Sequence, residues 1–209
     1  GAMRFFKTGK GQYGEGDIFI GVTSPELRQV ANEFKDLPDT QIKMLLRSKI
    51  HEERSLALAV WGMQSAKGDA KRRMEIAKQY EKHFAYVNNW DLVDSSAANL
   101  LGPAYGAKLI PKLRKWAGSE HLWTRRIAIV ATHFFTRNGK PGPVREISKR
   151  LIRDEHDLIH KASGWMLREM GKHCGEKTLT DFLDTYAHRL PRTALRYAIE
   201  RLTPQQRRA

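Results

Sequence analysis

The chain is poor in cysteine, in long apolar runs and in acidic residues. Its 209 residues include one cysteine, Cys174, which excludes an intramolecular disulfide framework and a zinc site built from several cysteines. No apolar run approaches the roughly 20 residues that span a bilayer, and no secretory signal is recognisable. We therefore expect an intracellular protein that does not enter a membrane.

The shortage of acidic residues leaves a large positive charge. Lysine and arginine number 37 against 23 aspartates and glutamates, which gives a formal net charge of +14 and a pI near 10.0. Such a balance favours a polyanionic partner, most often nucleic acid and less often anionic lipid. Hydrophobic residues make up 41% of the chain, so a sizeable core can form and a disordered basic tail is excluded.

Alternating runs rich in valine, isoleucine and threonine, which are typical of β-strands, are also missing. Residues 24–202 instead show helical apolar periodicity, broken at short intervals by proline or glycine. We expect Ser24 to be the N-cap of the first helix, with Pro25 at its first position. Residues 121–137 read as one helix. Because the connections are short, neighbouring helices should run antiparallel.

The N-terminal part of the chain has a different character. Residues 1–3 resemble a cloning scar left by a protease, and residues 4–23 are rich in glycine and aromatic residues. Glycine disfavours a helix, so we expect an ordered segment that packs on the first helices through its aromatic side chains. The chain from residue 4 to residue 209 is then a single domain.

A weak internal repeat runs through the helical region. A polar residue near the start of a helix is followed by small residues at five places, with intervals of 31 to 40 residues. This spacing is typical of stacked helical pairs that curl into a superhelix, an all-α solenoid. The polar residues should line one concave face, which is basic except at one acidic position. They are Arg54, Asp94, Arg126, Lys161 and Arg192.

Aromatic residues accompany this basic face. Trp90 lies one helical turn before Asp94, and Trp165 lies four residues after Lys161. Arginine and lysine pair with phosphates, while aromatic faces stack on bases or sugars. Each residue also has a simpler interpretation, because Asp94 could be a solvated helix residue or an ion-pair partner, and tryptophans at helical spacing usually pack in a core.

Four segments together resemble the AlkD family of DNA alkylation-repair glycosylases, which are built from HEAT-like helical repeats. The resemblance covers nearly the whole chain from about residue 4, and the second and fourth segments are the most specific. The segments are Phe19-Ile20-Gly21-Val22-Thr23-Ser24-Pro25-Glu26-Leu27-Arg28, Asn89-Trp90-Asp91-Leu92-Val93-Asp94, Trp123-Thr124-Arg125-Arg126-Ile127-Ala128-Ile129 and Lys161-Ala162-Ser163-Gly164-Trp165-Met166-Leu167-Arg168-Glu169.

The resemblance implies a role for individual residues. Asp94 matches the family's catalytic aspartate, and Trp90 and Trp165 match the tryptophans that flank the lesion's deoxyribose. Arg126 matches an arginine that contacts the DNA backbone, and Tyr13 lies where the family often has a tyrosine near the site. The implied activity is hydrolysis of the N-glycosidic bond of cationic N3- or N7-alkylated purines, such as 3-methyladenine and 7-methylguanine, in base excision repair.

The chemistry of such lesions is consistent with this residue set. An alkylated purine that carries a positive charge is already a good leaving group, so a general acid is not required. As the bond breaks, positive charge moves onto the sugar, where a preorganised carboxylate stabilises the oxocarbenium ion and orients the attacking water. Aromatic faces beside the sugar add cation–π attraction. No metal and no cofactor are therefore expected.

The remaining cations of the basic face complete the expected DNA-binding surface. Besides Arg126 and Tyr13, its members are Lys161, Arg125, Arg54 and Arg192. The expected partner is double-stranded DNA that contains alkylated bases, bound by a monomer in the cytoplasm, where a bacterial-type protein would associate with the nucleoid. One departure from the family is Asn89, which stands where its best-known branch has a second tryptophan.

Other interpretations remain open at this stage. The same face could bind distorted or branched DNA without catalysis, although a pure DNA binder has no need of Asp94. A HEAT-like scaffold for an acidic protein would instead bind DNA weakly. Asp91 fits a first-turn residue favoured by the helix dipole better than a second catalytic acid. His156 and His160 have the spacing of metal ligands but no third partner nearby in the sequence.

Overall fold

The computed structural model describes residues 6–207, and most of them lie in α-helices joined by short turns. Three short 3₁₀ helices follow some of these helices directly, at Phe84–Tyr86, Gly106–Lys108 and Ala187–Arg189. The α-helices in chain order are α1 (Ser24–Glu33), α2 (Asp39–Leu46), α3 (His51–Lys67), α4 (Ala70–Lys82), α5 (Trp90–Tyr105), α6 (Leu109–Ala117), α7 (Leu122–Val130), α8 (His133–Arg137), α9 (Gly142–Arg150), α10 (Asp157–Cys174), α11 (Glu176–Tyr186) and α12 (Arg192–Ala198).

The expected all-α fold is confirmed, and most helices agree with the apolar periodicity. Over residues 6–207 the only β-type pairing is an isolated parallel bridge between Ile18 and Ile50. That bridge ties the N-terminal segment to the start of α3. Residues 1–5 and 208–209 are outside the described part of the chain, so the expected cloning scar at residues 1–3 is not addressed.

Two helix boundaries differ from the prediction. The N-cap of α1 is Thr23 and not Ser24, because the Glu26 carboxylate accepts hydrogen bonds from the Thr23 backbone N–H (2.8 Å) and hydroxyl (2.7 Å). Residues 121–137 form two helices, α7 and α8. The Thr132 hydroxyl donates to the Ile129 carbonyl (2.6 Å) at the break, and this local bond competes with the helical pattern.

The chain divides into two compact units, Gly1–Ala104 and Tyr105–Ala209. In the first unit, α3 packs against α1, α2 and α4. Trp61 of α3 is fully buried, and its indole N–H donates to Asp39 Oδ1 at 3.0 Å. A buried tryptophan with a satisfied N–H is typical of a well-packed core, so Trp61 belongs to the core of this unit.

The second unit is organised around α10, which packs against the helices α7, α8, α9, α11 and α12. The helices α10 and α12 approach each other closely at Gly164, where an added Cβ would lie 2.3 Å from the Ala194 carbonyl oxygen and 2.6 Å from Tyr197 Cβ. Only glycine therefore permits the observed distance between α10 and α12. Along α10, Lys161 precedes Gly164 in the sequence and Trp165 follows it directly.

None of the helices within residues 6–207 is both long enough and apolar enough to cross a lipid bilayer.

Candidate functional site

The N-terminus of α5 is fixed by Asn89. This side chain is fully buried, its Oδ1 accepts a hydrogen bond from the Trp90 backbone N–H (2.8 Å), and its Nδ2 donates to Asp17 Oδ2 (3.3 Å). Its carbonyl accepts the first helical bond, from the Val93 N–H at 3.1 Å. Asn89 thus acts as a helix cap, which a tryptophan at the same position could not do.

Trp90 lies at the first position of α5, half-buried, against the N-terminal segment. Its indole N–H donates to the Tyr13 hydroxyl at 3.1 Å, and its ring stacks on Phe6 with centroids 5.4 Å apart and planes inclined by 23°. Phe6 in turn stacks on Phe19 at 4.9 Å. The structure therefore brings Tyr13 and Trp90 together, and the aromatic side chains pack the N-terminal segment as expected.

Asp94 follows Trp90 by one turn of α5 and is also half-buried. Residues four apart lie on the same face of a helix, so the carboxylate and the indole border the same surface. Burial raises the pKa of Tyr80, and the negative charge of Asp94 raises it further. The Tyr80 hydroxyl is hydrogen-bonded to Ser96 at 2.8 Å. Asp94 thus lies within electrostatic reach of the fully buried Tyr80.

The first unit also contains a largely buried network of ionisable side chains. His51 Nε2 is 2.6 Å from Asp91 Oδ2 and His51 Nδ1 is 3.4 Å from Asp17 Oδ2, while Arg54 donates to Asp17 Oδ1 at 2.6 Å. Burial by itself would lower the pKa of His51, but the hydrogen bonds to Asp17 and Asp91 outweigh it and raise that pKa to about 9. His51 is therefore a cation at neutral pH, and it holds Asp91 in place.

Asp17 is the second acid of this network. Burial opposes its charge, but hydrogen bonds from His51 and Arg54 hold its pKa below the usual value. Asp17 also accepts the hydrogen bond from Asn89. The network therefore links the N-terminal segment, the start of α3 and the start of α5 through one carboxylate.

Arg54 has a structural role that the sequence did not predict. Its side chain is 3% exposed, and besides Asp17 it donates to the Ser48 carbonyl at 2.9 Å. A DNA phosphate could reach this guanidinium only by displacing buried partners. In this structure Arg54 balances the charge of Asp17 inside the unit, and the expected contact of Arg54 with DNA stays a prediction.

A cavity of about 690 Å³ lies next to this network in the first unit. It extends along the first helical turns of α3 and α5. The side chains that give it an aromatic and polar wall are Phe6, Phe19, Arg28, His51, Asp91 and Ser95.

In the second unit, the two consecutive arginines of α7 are engaged with protein groups. Arg126 is 4% exposed and donates to the Leu158 carbonyl. Arg125 donates to Asp154 Oδ2 at 2.6 Å and to the carbonyls of Ser119 (3.0 Å) and Glu120 (2.7 Å). In this conformation neither guanidinium is presented to solvent as a free phosphate ligand.

The other predicted residues of this unit are more accessible. Lys161 is partly exposed and its Nζ lies 2.8 Å from Asp157, four residues earlier on α10. Arg192 is exposed at the first position of α12, and α12 packs against α10. Lys161 and Arg192 thus lie on two helices that pack against each other.

Trp165 is half-buried on α10. Its ring lies 6.0 Å from the ring of His133, which belongs to α8. Burial lowers the pKa of His133 to about 4, and the charge of Arg137 contributes in the same direction. The imidazole beside Trp165 is therefore neutral at physiological pH.

A family model described as DNA alkylation repair enzyme matches residues 1–202. The chain belongs to this family. The resemblance drawn from the signature segments is thereby confirmed. Membership of the DNA alkylation repair family implies a role in repair of alkylated DNA and DNA as a partner.

The fold of this member of the DNA alkylation repair family is shared with a solved structure. The chain matches a "Predicted DNA alkylation repair enzyme from Enterococcus faecalis" with a TM-score of 0.70 and 17% sequence identity, over 92% of each chain. At this identity the likeness establishes the fold, a helical repeat. No curated protein matches the chain.

Sequence reasoning missed the pair formed by His51 and Asp17. His51 is 34 positions from Asp17 and 40 positions from Asp91 in the chain, so no local spacing signals these contacts. The one available signal was Asp91, an acid beside Trp90 in a basic protein. The helix dipole explains an acid at this position, but Asp91 also forms a hydrogen bond of 2.6 Å with His51.

Proposed function

We propose that this protein is a monofunctional DNA glycosylase that hydrolyses the N-glycosidic bond of cationic N3- and N7-alkylated purines in duplex DNA. Asp94 stabilises the oxocarbenium ion and orients water, and Trp90 and Trp165 contact the lesion's deoxyribose. The proposal rests on family membership and on the surface formed by Trp90 and Asp94. Base excision is the repair reaction that suits such a surface.

The observation that carries this proposal is the fixed position of Trp90 and Asp94 on one face of α5. Asn89 caps the helix, Tyr13 binds the indole N–H, and Phe6 covers part of the ring. A half-buried carboxylate on a rigid helix needs little reorganisation when charge develops on the sugar, which is the condition for electrostatic catalysis.

The electrostatic attraction from a single carboxylate is large enough to change the rate of bond cleavage. At an effective dielectric constant near 20, unit charges about 4 Å apart attract each other by roughly 4 kcal/mol. This corresponds to about three powers of ten in rate. The remaining driving force lies in the substrate, because the alkylated purine leaves as a neutral base.

DNA is bound in this proposal through accessible cations of the second unit. Lys161 and Arg192 contact phosphates and fix the register of the duplex, a role that needs no base recognition. Trp165 lies one turn after Lys161 on α10, so a sugar next to the bound phosphate is within reach of its ring. The protein acts on duplex DNA as a monomer.

The test is release of 7-methylguanine and 3-methyladenine from methylated duplex DNA by the wild type and by Asp94→Asn. We expect the variant to retain DNA affinity and to lose roughly three powers of ten in the rate of base release. Asp36→Asn is the matched control, because it removes one exposed carboxylate from the same unit and should keep the wild-type rate.

Two outcomes would contradict the proposal. Near-normal base release by Asp94→Asn would remove the catalytic role of that residue. A wild-type protein that binds distorted or branched DNA but frees no base would show the non-catalytic binding function instead.

A further inference from the structure

A second chemical cluster lies in the second unit, on the helices α8 and α10. His133 is the first residue of α8, and Glu169 and His173 are one turn apart on α10. The two helices pack together. One nitrogen of each histidine and one carboxylate oxygen all lie within 4.8 Å of one another.

The distances within this cluster match a metal coordination sphere. Glu169 Oε2 lies 3.4 Å from His173 Nε2 and 3.8 Å from His133 Nε2. In a tetrahedral zinc site with bonds of about 2.0–2.1 Å, neighbouring ligand atoms are roughly 3.3–3.4 Å apart. Glu169 and His173 already have this separation, and the remaining ligand-atom pairs have to close from 3.8 Å and from at most 4.8 Å.

The cluster also contains an unsatisfied polar atom. His133 Nε2 is buried without a hydrogen-bond partner, since Glu169 at 3.8 Å is beyond hydrogen-bond distance. A buried nitrogen of this kind carries a desolvation cost of about 1–3 kcal/mol unless it finds a partner. A metal ion at the centre of the cluster would satisfy it.

Two neighbouring cations, Arg168 and Lys172, influence which oxygen of Glu169 is available to a metal ion. Arg168 lies 3.6 Å from Glu169 Oε1, the oxygen that has no histidine contact in this cluster. Lys172 lies 3.9 Å from Oε2, the oxygen that faces them, and its side chain is 47% exposed. Lys172 can turn into solvent, so it competes with a metal ion for Oε2 without blocking the site.

We propose that His133, Glu169 and His173 bind a divalent transition-metal ion, with zinc as the best fit to two imidazoles and one carboxylate. The remaining coordination position is open to solvent on the side of His173, which is the most exposed of the three ligands. The ion fixes the imidazole of His133, whose ring lies 6.0 Å from Trp165. It would therefore stabilise the contact between α8 and α10 next to Trp165.

The first experiment is a titration of the full chain, without an affinity tag and after chelator treatment, with Zn²⁺ by isothermal calorimetry. We expect one ion per chain. The variants His133→Ala and His173→Ala should each weaken binding by more than roughly 100-fold, because loss of an outer-shell partner alone costs 10–100-fold. His188→Ala, which removes an exposed histidine of the same unit, should bind like the wild type.

Lys172→Ala provides a test in the opposite direction. Removal of the competing ammonium should tighten Zn²⁺ binding, whereas a role of the cluster limited to ion pairs would leave Zn²⁺ affinity unchanged. Co²⁺ offers a spectroscopic check, since a tetrahedral site gives intense visible absorption. Absence of that absorption, or equal Zn²⁺ binding by the wild type and the His133→Ala/His173→Ala double variant, would overturn the proposal.

Discussion

At the scale of single residues, the basic side chains of this chain fall into two groups, buried and accessible. Some cations are internal, such as Arg54 with Asp17 and Arg126 with the Leu158 carbonyl. Others are accessible, such as Lys161 and Arg192. A buried guanidinium has to be paired because the cost of an uncompensated buried charge is several kcal/mol. The position of a basic residue in the sequence does not by itself show whether its side chain is buried or accessible.

The His51 network predicts a pH dependence of stability. The folded-state pKa of His51 is about 9, above the usual value of 6.5 for a histidine. Its stabilising contribution is therefore fully present below about pH 6.5 and is lost as the pH rises through 9. We expect a loss of about 2 kcal/mol in the free energy of unfolding over this interval, after allowance for solvent screening at Asp91.

The measurement is denaturant unfolding of the wild type and of His51→Gln between pH 6 and pH 10. The variant should be less stable at pH 6 and should show a flatter profile, and His188→Gln should keep the wild-type slope. NMR titration of the His51 ring gives an independent check. A His51 pKa near 6.5 in the folded protein would show that Asp17 and Asp91 do not stabilise the protonated ring.

At the scale of elements, the contact between α10 and α12 depends on one glycine. Gly164→Ala would place a methyl group 2.3 Å from the Ala194 carbonyl oxygen, and a backbone atom cannot rotate away. We expect a destabilisation of about 1–3 kcal/mol, the range for overpacking. Because the two helices carry Lys161 and Arg192, weaker DNA binding should accompany it.

Gly62 on α3 is the matched control for this prediction. It also lies inside a helix, but an added Cβ would meet nothing within 4 Å. Gly62→Ala should therefore stabilise the protein by about 0.5–1 kcal/mol. Thermal unfolding of both variants separates helix propensity from close packing, and a Gly164→Ala variant as stable as Gly62→Ala would refute the packing argument.

At the scale of the whole molecule, the net charge of +14 should make DNA binding strongly dependent on salt. Each phosphate contact contributes roughly −0.9 to the slope of log K against log salt concentration. We expect Lys161→Ala and Arg192→Ala to reduce the magnitude of the slope by about that amount each. Binding isotherms on one undamaged duplex at several salt concentrations measure it.

Arg126 gives this experiment a discriminating comparison. Its guanidinium donates to the Leu158 carbonyl and is buried, so Arg126→Gln should lower the melting temperature and leave the salt slope unchanged. The family resemblance implies a backbone contact instead, and that would appear as a reduced slope. A reduced slope would mean that the side chain leaves its protein partner when DNA binds.

The sequence by itself determined the all-helical fold, the family and the residues that resemble a glycosylase site. Apolar periodicity and breaks at proline and glycine are local properties, so they place most helices correctly. The pairing of Trp90 with Asp94 also follows from helical spacing alone. Local signals were insufficient where side-chain bonds decide a boundary, as at Thr23 and Thr132.

The tertiary structure alone decided which charged residues are buried and which clusters form. The contacts of His51 with Asp17 and Asp91, and of His133 with Glu169, join residues more than 30 positions apart. Such contacts depend on how the helices pack, since burial strengthens an ion pair and penalises a lone charge at the same time. For that reason Arg54 and Lys161, which the sequence repeat predicts at equivalent places, differ in burial and in their ion-pair partners.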